Sequence, residues 1–311
     1  MDLKTINLVV GFTPYHALFS EGFVNNLEGP VFCYFTKEYP GKPNSWRKIS
    51  PFNNKMLSMI FYSLRLWFWF LTGCKINLYI PHMCHFASNY PARSNRCHTV
   101  NIYEEGIANY YDAVSERWDI SLSKKIMSWL VALPFKPYSG HITGIDVCSV
   151  ASTLSSRPGK LVFKSKLGCL KKVNIPIEFG RPKRYCSEIL FLDQPLNIDS
   201  TEKREYLEHW LSQKKPNQKV YYKAHHDANA SYAGMIQLSE ELQSMPAERL
   251  LSLTSFGTVV SFHSSALINI SKIFPDVKCV YLPLCALSIS VNGVEMDIFS
   301  FMEDHGVRRY L

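Results

Sequence analysis

Two Rossmann-like α/β domains facing a cleft are the architecture this sequence predicts, on three observations. Strand-length apolar runs alternate with helix-length runs, the pattern of a mostly parallel sheet with helices on both faces. The alternation breaks once, at residues 174–184 (NIPIEFGRPKR), where prolines, glycine and basic residues cluster, and then restarts. At 311 residues, 47% of them hydrophobic and 14% aromatic, the chain can build two separate cores, which excludes a disordered protein. The expected domains are 1–180 and 181–311.

The elements follow in order. Residues 6–11 read as a first strand, and a helix is expected over 16–26, with Thr13 as its cap and Pro14 in its first turn. A strand at 31–35 precedes a polar loop holding Pro40, Gly41 and Pro43. A long apolar helix, 56–73 (MLSMIFYSLRLWFWFLTG), leads to a strand at 75–80. Strands are expected at 99–103 and 144–150, with a helix over 121–133 between them. After the linker, 187–192 reads as a strand ending in Asp193-Gln194-Pro195-Leu196. A helix over 200–213 takes Ser200 as its N-cap, with Glu202 in its first turn. Strands at 219–223, 258–262 and 277–282 and a helix over 235–243 complete the second half, and there is no internal repeat.

A formal charge of +8 favours anionic partners: nucleotides, acidic glycans or a membrane surface. The basic residues are scattered and form no nucleic-acid module, so nucleic acid is not expected. Nine cysteines, an odd number without a Cys-x-x-Cys pair, point to a reducing compartment. The opening MDLKTINLVVGFTP lacks the layout of a signal peptide, so a cytoplasmic location is the expectation. The 56–73 segment is almost long enough to span a bilayer, but Arg65 sits in its middle. A buried helix, or one lying on a membrane, is expected there rather than a span.

Three short stretches carry groups suited to chemistry. Glu104-Glu105-Gly106 follows a predicted strand, so its carboxylates fall where open α/β sheets bind ligands. Adjacent carboxylates raise one another's proton affinity, which suits a base near neutral pH, and glycine permits a tight turn. Lys223-Ala224-His225-His226-Asp227 also follows a strand and offers charge and a proton to a phosphate. Phe262-His263-Ser264-Ser265 puts two hydroxyls at a strand-to-helix junction, where a cap and an anion site share the same donors. Each also has a bland reading: a solvated turn, a polar loop, simple capping. The group His82, Cys84, His85, Cys97 and His98 matches no zinc spacing and reads as buried cysteine with partly exposed histidine. No P-loop, GxGxxG, GxSxG, HExxH or Asp-x-Asp signature is present, so no metal cofactor is expected.

In this order the three stretches resemble the motifs of bacterial sialyltransferases of glycosyltransferase family 52, related to the family 38 polysialyltransferases. Those enzymes carry acidic-acidic-Gly, Lys-x-His-Pro and paired-serine motifs. Thr13-Pro14-Tyr15-His16 is similar to their opening, and Gln194-Pro195-Leu196 to the start of their second domain. One departure is His226, which stands where the motif has proline. The resemblance implies a GT-B fold with an acceptor-binding first domain and a nucleotide-sugar-binding second one. It implies inverting, metal-independent transfer of sialic acid from CMP-sialic acid to a galactose-terminated glycan of lipopolysaccharide or O-antigen. Glu105, with Glu104 as the alternative, would be the base, and His225 would assist departure of CMP. Lys223, Ser264, Ser265, Gln194 and Pro195 would bind the donor, and Thr13, Tyr15, His16 and Asn109 would line the acceptor side. A lipid-linked acceptor would bring the protein to the inner face of the cytoplasmic membrane. Rival readings are a GT-B transferase using another nucleotide sugar such as CMP-Kdo, a non-catalytic membrane-associated glycan-binding protein, and, more distantly, a zinc hydrolase.

Overall fold

A computed structural model describes residues 5–36, 47–49, 54–177, 186–196, 198–215, 217–225 and 232–310. The expected 40–43 loop, most of the linker, and His226 with Asp227 lie outside the described residues. The chain divides into two compact units, Met1–Pro176 and Ile177–Leu311.

The first unit runs β1 (Thr5–Gly11), α1 (Pro14–Val24), β2 (Val31–Phe35), β3 (Arg47–Lys48), α2 (Lys55–Leu71) and β4 (Lys75–Ile80). It continues with α3 (Phe86–Ala92), β5 (Cys97–Tyr103), β6 (Val114–Trp118), α4 (Leu122–Leu130), β7 (Tyr138–His141), β8 (Val150–Ser155) and β9 (Cys169–Lys172). Seven of these strands form one parallel sheet in the order β3-β2-β1-β4-β5-β8-β9. Nearly every residue of β1 is buried, as expected of a central strand covered on both faces. Tyr62, Leu66, Trp69 and Phe70 of α2 enter the same core as Leu8, Val10, Leu78 and Ile80. Helix α1 starts on a capping box: Thr13 accepts from the His16 N–H, and the His16 ring accepts from the Thr13 N–H at 3.3 Å.

The second unit runs β10 (Cys186–Leu192), α5 (Ser200–Ser212), β11 (Val220–Lys223), β12 (Ile236–Gln237), α6 (Glu240–Ser244) and α7 (Ala247–Leu253). Then come β13 (Phe256–Ser261), α8 (Ser265–Ile273), β14 (Lys278–Tyr281), the hairpin β15 (Ser288–Val291) and β16 (Val294–Asp297), α9 (Ile298–Asp304) and β17 (Arg308–Arg309). Its six-stranded parallel sheet is ordered β12-β11-β10-β13-β14-β17. Numbered within that sheet, the order is 3-2-1-4-5-6, the Rossmann arrangement.

Several sequence expectations are corrected. The helix expected over 235–243 is a two-residue strand and the short α6, because Ile236 and Gln237 pair with Tyr221 and Tyr222 at the sheet edge. The strand expected at 144–150 begins only at Val150; Gly144 has φ 85° and opens a turn whose Cys148 N–H returns to its carbonyl. Asp199, not Ser200, caps α5 by accepting from the Thr201 N–H at 2.6 Å.

Candidate active site

Strand β5 delivers Glu104 and Glu105 at its carboxyl end, and the fold separates them at once. Adjacent residues of an extended chain point to opposite sides. Glu104 is fully buried and accepts five hydrogen bonds: from the hydroxyls of Tyr15 (2.7 Å), Tyr110 (2.6 Å), Ser155 (3.0 Å) and Ser156 (3.1 Å), and from the Ser156 N–H (2.6 Å). Its lone pairs are spent inside the protein, so it is a structural anchor that ties α1, β5 and the end of β8 together.

Glu105 is half-buried, and no hydrogen bond to its carboxyl group is found among the described residues. Burial alone raises its pKa to about 7. The expected mutual repulsion of the two acids is therefore not the cause. Its main chain is fixed: the Glu105 N–H donates to Asn109 Oδ1 at 2.7 Å, with Asn109 itself buried. Gly106 follows at φ 131° and ψ −136°, a backbone region open to glycine almost alone. We expect Gly106→Ala to cost about 1–3 kcal/mol, visible as a lowered Tm and a loss of any activity that needs Glu105 in place.

The sequence-predicted residues of the first unit thus fall into two groups. Tyr15 and Asn109 touch the acidic pair directly, one through each acid. Thr13 and His16 make the cap of α1, with the buried His16 Nδ1 also accepting from the Phe12 N–H at 3.0 Å. Beside them, at the switch between β1 and β4, His82 and His85 stack around Phe12, with ring centroids 4.9 and 4.5 Å away. Burial pulls these two imidazoles down to about 4 and about 3, and each Nδ1 accepts a backbone N–H. Neutral rings engaged in this way line the site rather than carry charge in it. Among the described residues, no group of three His, Cys, Asp or Glu side chains could hold a metal ion.

In the second unit the switch point lies between β10 and β13, where open α/β sheets bind ligands. Their carboxyl ends carry Asp193-Gln194 and His263-Ser264. Asp193, buried, accepts from Lys203 Nζ (2.5 Å) and the Tyr222 hydroxyl (2.7 Å), locking β10, β11 and α5 together. Beside it, Gln194 Oε1 and His263 Nδ1 are buried polar atoms without a hydrogen bond among the described residues. Atoms left so are rare in folded proteins and call for a partner that the described residues do not provide. Ser264 caps α8, accepting from the Ala266 N–H at 3.3 Å, and Ser265 opens that helix beside it. Pro195 is exposed, and His225 is half-buried two residues past β11. Lys223 donates to the Gln243 carbonyl at 2.5 Å, and burial pulls its ammonium down to about 8. The Gln243 side chain also bonds the Ala224 N–H and the Tyr222 carbonyl, so α6 fixes the start of the His225 loop.

With this geometry in view, the sequence matches the family described as alpha-2,8-polysialyltransferase (POLYST) over residues 37–282. The chain belongs to that family. This polysialyltransferase-family chain is therefore placed among the glycosyltransferases, in a sialyltransferase-like family; the match does not extend to family 52. No curated protein matches it by sequence. Each of its two units is an α/β domain built on a parallel sheet, as the sequence predicts. Solved structures resemble it at low identity. UDP-GlcNAc 2-epimerase from Neisseria meningitidis, bound to UDP-GlcNAc, is 9% identical, with a TM-score of 0.46 over 85% of this chain and 79% of that one. S. aureus MnaA, in a co-structure with UDP, is 12% identical, with a TM-score of 0.46 over 93% and 80%. MurG of Acinetobacter baumannii is 10% identical, with a TM-score of 0.34 over 90% and 78%.

Sequence reasoning missed Tyr110, Ser155, Ser156, Asp193, Lys203 and His263 as parts of these sites. His263 had a usable signal, since it stands between a strand and the serine pair. Ser155 and Ser156 had none: they reach Glu104 across 51 and 52 residues of sequence.

Proposed function

We propose that this protein is an inverting, metal-independent sialyltransferase that transfers sialic acid from CMP-sialic acid to a glycan hydroxyl. The observation that carries this reading is Glu105: a half-buried carboxyl raised to about 7, with no hydrogen-bond partner among the described residues, at the end of a parallel strand. Glu105 takes the acceptor proton as the new bond to the anomeric carbon forms and the bond to the phosphate oxygen of CMP breaks. His225 donates to that departing oxygen, while Lys223 and the Ser264–Ser265 helix start neutralise the phosphate. Gln194 and His263, with their unsatisfied buried atoms, are read as donor contacts at the second unit's switch point. The sequence has no Asp-x-Asp pair to hold a divalent ion against a nucleotide sugar, which favours catalysis by fixed protein donors. The motif likeness to family 52 supports the same assignment of roles.

The acceptor follows in two readings. The first is a galactose-terminated glycan of lipopolysaccharide or O-antigen, lipid-linked and met at the inner face of the cytoplasmic membrane. The second, favoured by the family match, is a glycan already ending in sialic acid; the +8 charge suits such an anionic chain. Release of CMP from CMP-sialic acid would be measured with galactose-ended acceptors, with sialic-acid-ended acceptors and with none, beside Glu105→Ala. Acceptor-dependent release that the variant lacks is the expected result, and the better acceptor class decides between the two readings. Folded protein that releases no CMP with either acceptor sinks the proposal and turns attention to CMP-Kdo or to a binding protein.

A further inference from the structure

Ten of the sixteen large apolar side chains exposed among the described residues belong to two helices, α2 and α4. Soluble surfaces scatter such residues singly; a contiguous apolar concentration marks an interaction face. Helix α2 is apolar on two sides. One side packs Tyr62, Leu66 and Phe70 into the core. The other presents Leu57, Phe61, Leu64, Phe68 and Leu71 to solvent, at the 4-3-4-3 spacing of one helix face. Helix α4 repeats the arrangement with Leu122, Ile126 and Trp129, the last of these 72% exposed. The helices meet along a seam: Ser63 Oγ donates to the Val131 carbonyl, and Trp67 Nε1 to the Ala132 carbonyl at 3.0 Å. On α2, Trp67 lies one turn from Leu64 and Leu71, so the end of α4 borders the exposed stripe.

Charge decides what this face meets. Helices α2 and α4 contain no Asp or Glu and carry Lys55, Arg65, Lys124 and Lys125. Lys125 is paired with Asp119 at 2.8 Å, whereas Arg65 lies over the rings of Phe32 and Trp69 with its charge exposed. A second copy of the chain on this face would set like charges against each other. A bilayer rich in anionic lipid meets both features, taking the apolar stripes into its interface and neutralising the cations at headgroup level. Among the described residues no helix is long and apolar enough to cross a membrane, so the face lies along one.

We infer that α2 and α4 together form a face that binds an anionic lipid bilayer, with α4, and Trp129 in particular, inserting beside α2. The full-length protein would be sedimented with phosphatidylglycerol-containing vesicles and with phosphatidylcholine vesicles, no sugar donor being present, so the outcome does not depend on the transferase reading. Two double variants, Leu64→Ser with Phe68→Ser and Leu122→Ser with Trp129→Ser, change exposed residues only, and circular dichroism would verify their folding. Each pair should weaken binding to the anionic vesicles by at least roughly tenfold, and added salt should weaken binding of the wild type. Quenching of tryptophan emission by bromine-labelled lipid, reduced in Trp129→Phe, reads insertion in a protein that needs no helix-disrupting change. Wild-type binding that survives the α4 pair overturns the two-helix face. Failure of the wild type to bind at low salt overturns it too, as does a dimer that both pairs dissociate while vesicle binding is absent.

Discussion

Replacing Glu105 by glutamine should lower kcat/KM for CMP release by roughly 100- to 10,000-fold, the usual contribution of a positioned base, with the fold intact. Nothing in the described structure hangs on its carboxyl oxygens; the hydrogen bond that fixes this residue comes from its main chain to Asn109. If Glu105 is the base proposed above, wild-type activity should rise through an ionisation near pH 7, because a base acts only after it loses its proton. That limb should be missing from the residual rate of the variant.

The same ionisation has a signed effect on stability. In the unfolded chain this acid ionises at about 4.5, in the folded protein at about 7. Across that window the unfolded state has lost its proton while the folded state still holds it, so this group lowers stability as pH rises, until the loss levels off above 7. Glu105→Gln removes the effect. Its Tm should equal that of the wild type at about pH 4 and exceed it at about pH 8. A carboxylate whose ionisation burial opposes is less stable there than the amide that would replace it, the pattern expected where activity and stability conflict. Equal Tm values at both pH values would show that Glu105 is not held protonated by burial.

Glu104→Ala should do the opposite: unfold the protein first and affect chemistry only as a consequence. It leaves the hydroxyls of Tyr15, Tyr110, Ser155 and Ser156 and one N–H facing a fully buried void. Removing one partner from a buried polar network costs about 3–5 kcal/mol, which corresponds to a fall in Tm on the order of 10 °C. Thermal unfolding of the two variants side by side separates the roles. A stable, inactive Glu104→Ala beside an active Glu105→Ala would exchange the two assignments.

The candidate residues were legible in the chain as candidates. Strand ends could be found from apolar runs, and groups at the carboxyl ends of parallel strands are where such sheets bind ligands; this brought Glu105, His225 and Ser264 into view, and the family resemblance added Gln194. The cap of α1 was written in Thr13 and Pro14, and the glycine after the acids announced a turn. What failed was whatever depended on partners distant in sequence. The 235–243 stretch reads as a helix by itself, yet sheet-edge pairing with β11 claims Ile236 and Gln237. The 144–150 run is apolar enough for a strand, but its glycine turns the chain instead.

The sequence by itself determined the alternation of strand and helix, the interruption of that alternation within residues 174–184, and the short local signals that put candidate residue types at strand ends, because these depend on neighbours within a few positions. The tertiary structure decided which of two adjacent acids is anchored and which has no hydrogen bond to its carboxyl group among the described residues, since that depends on serines and tyrosines brought from β8, α1 and the loop after β5. It also decided the Rossmann strand order that sets the switch point of the second unit, and the seam that adds the apolar stripe of α4 to that of α2. Burial, register and long-range hydrogen bonding are properties of the folded arrangement, and no single stretch of chain contains them.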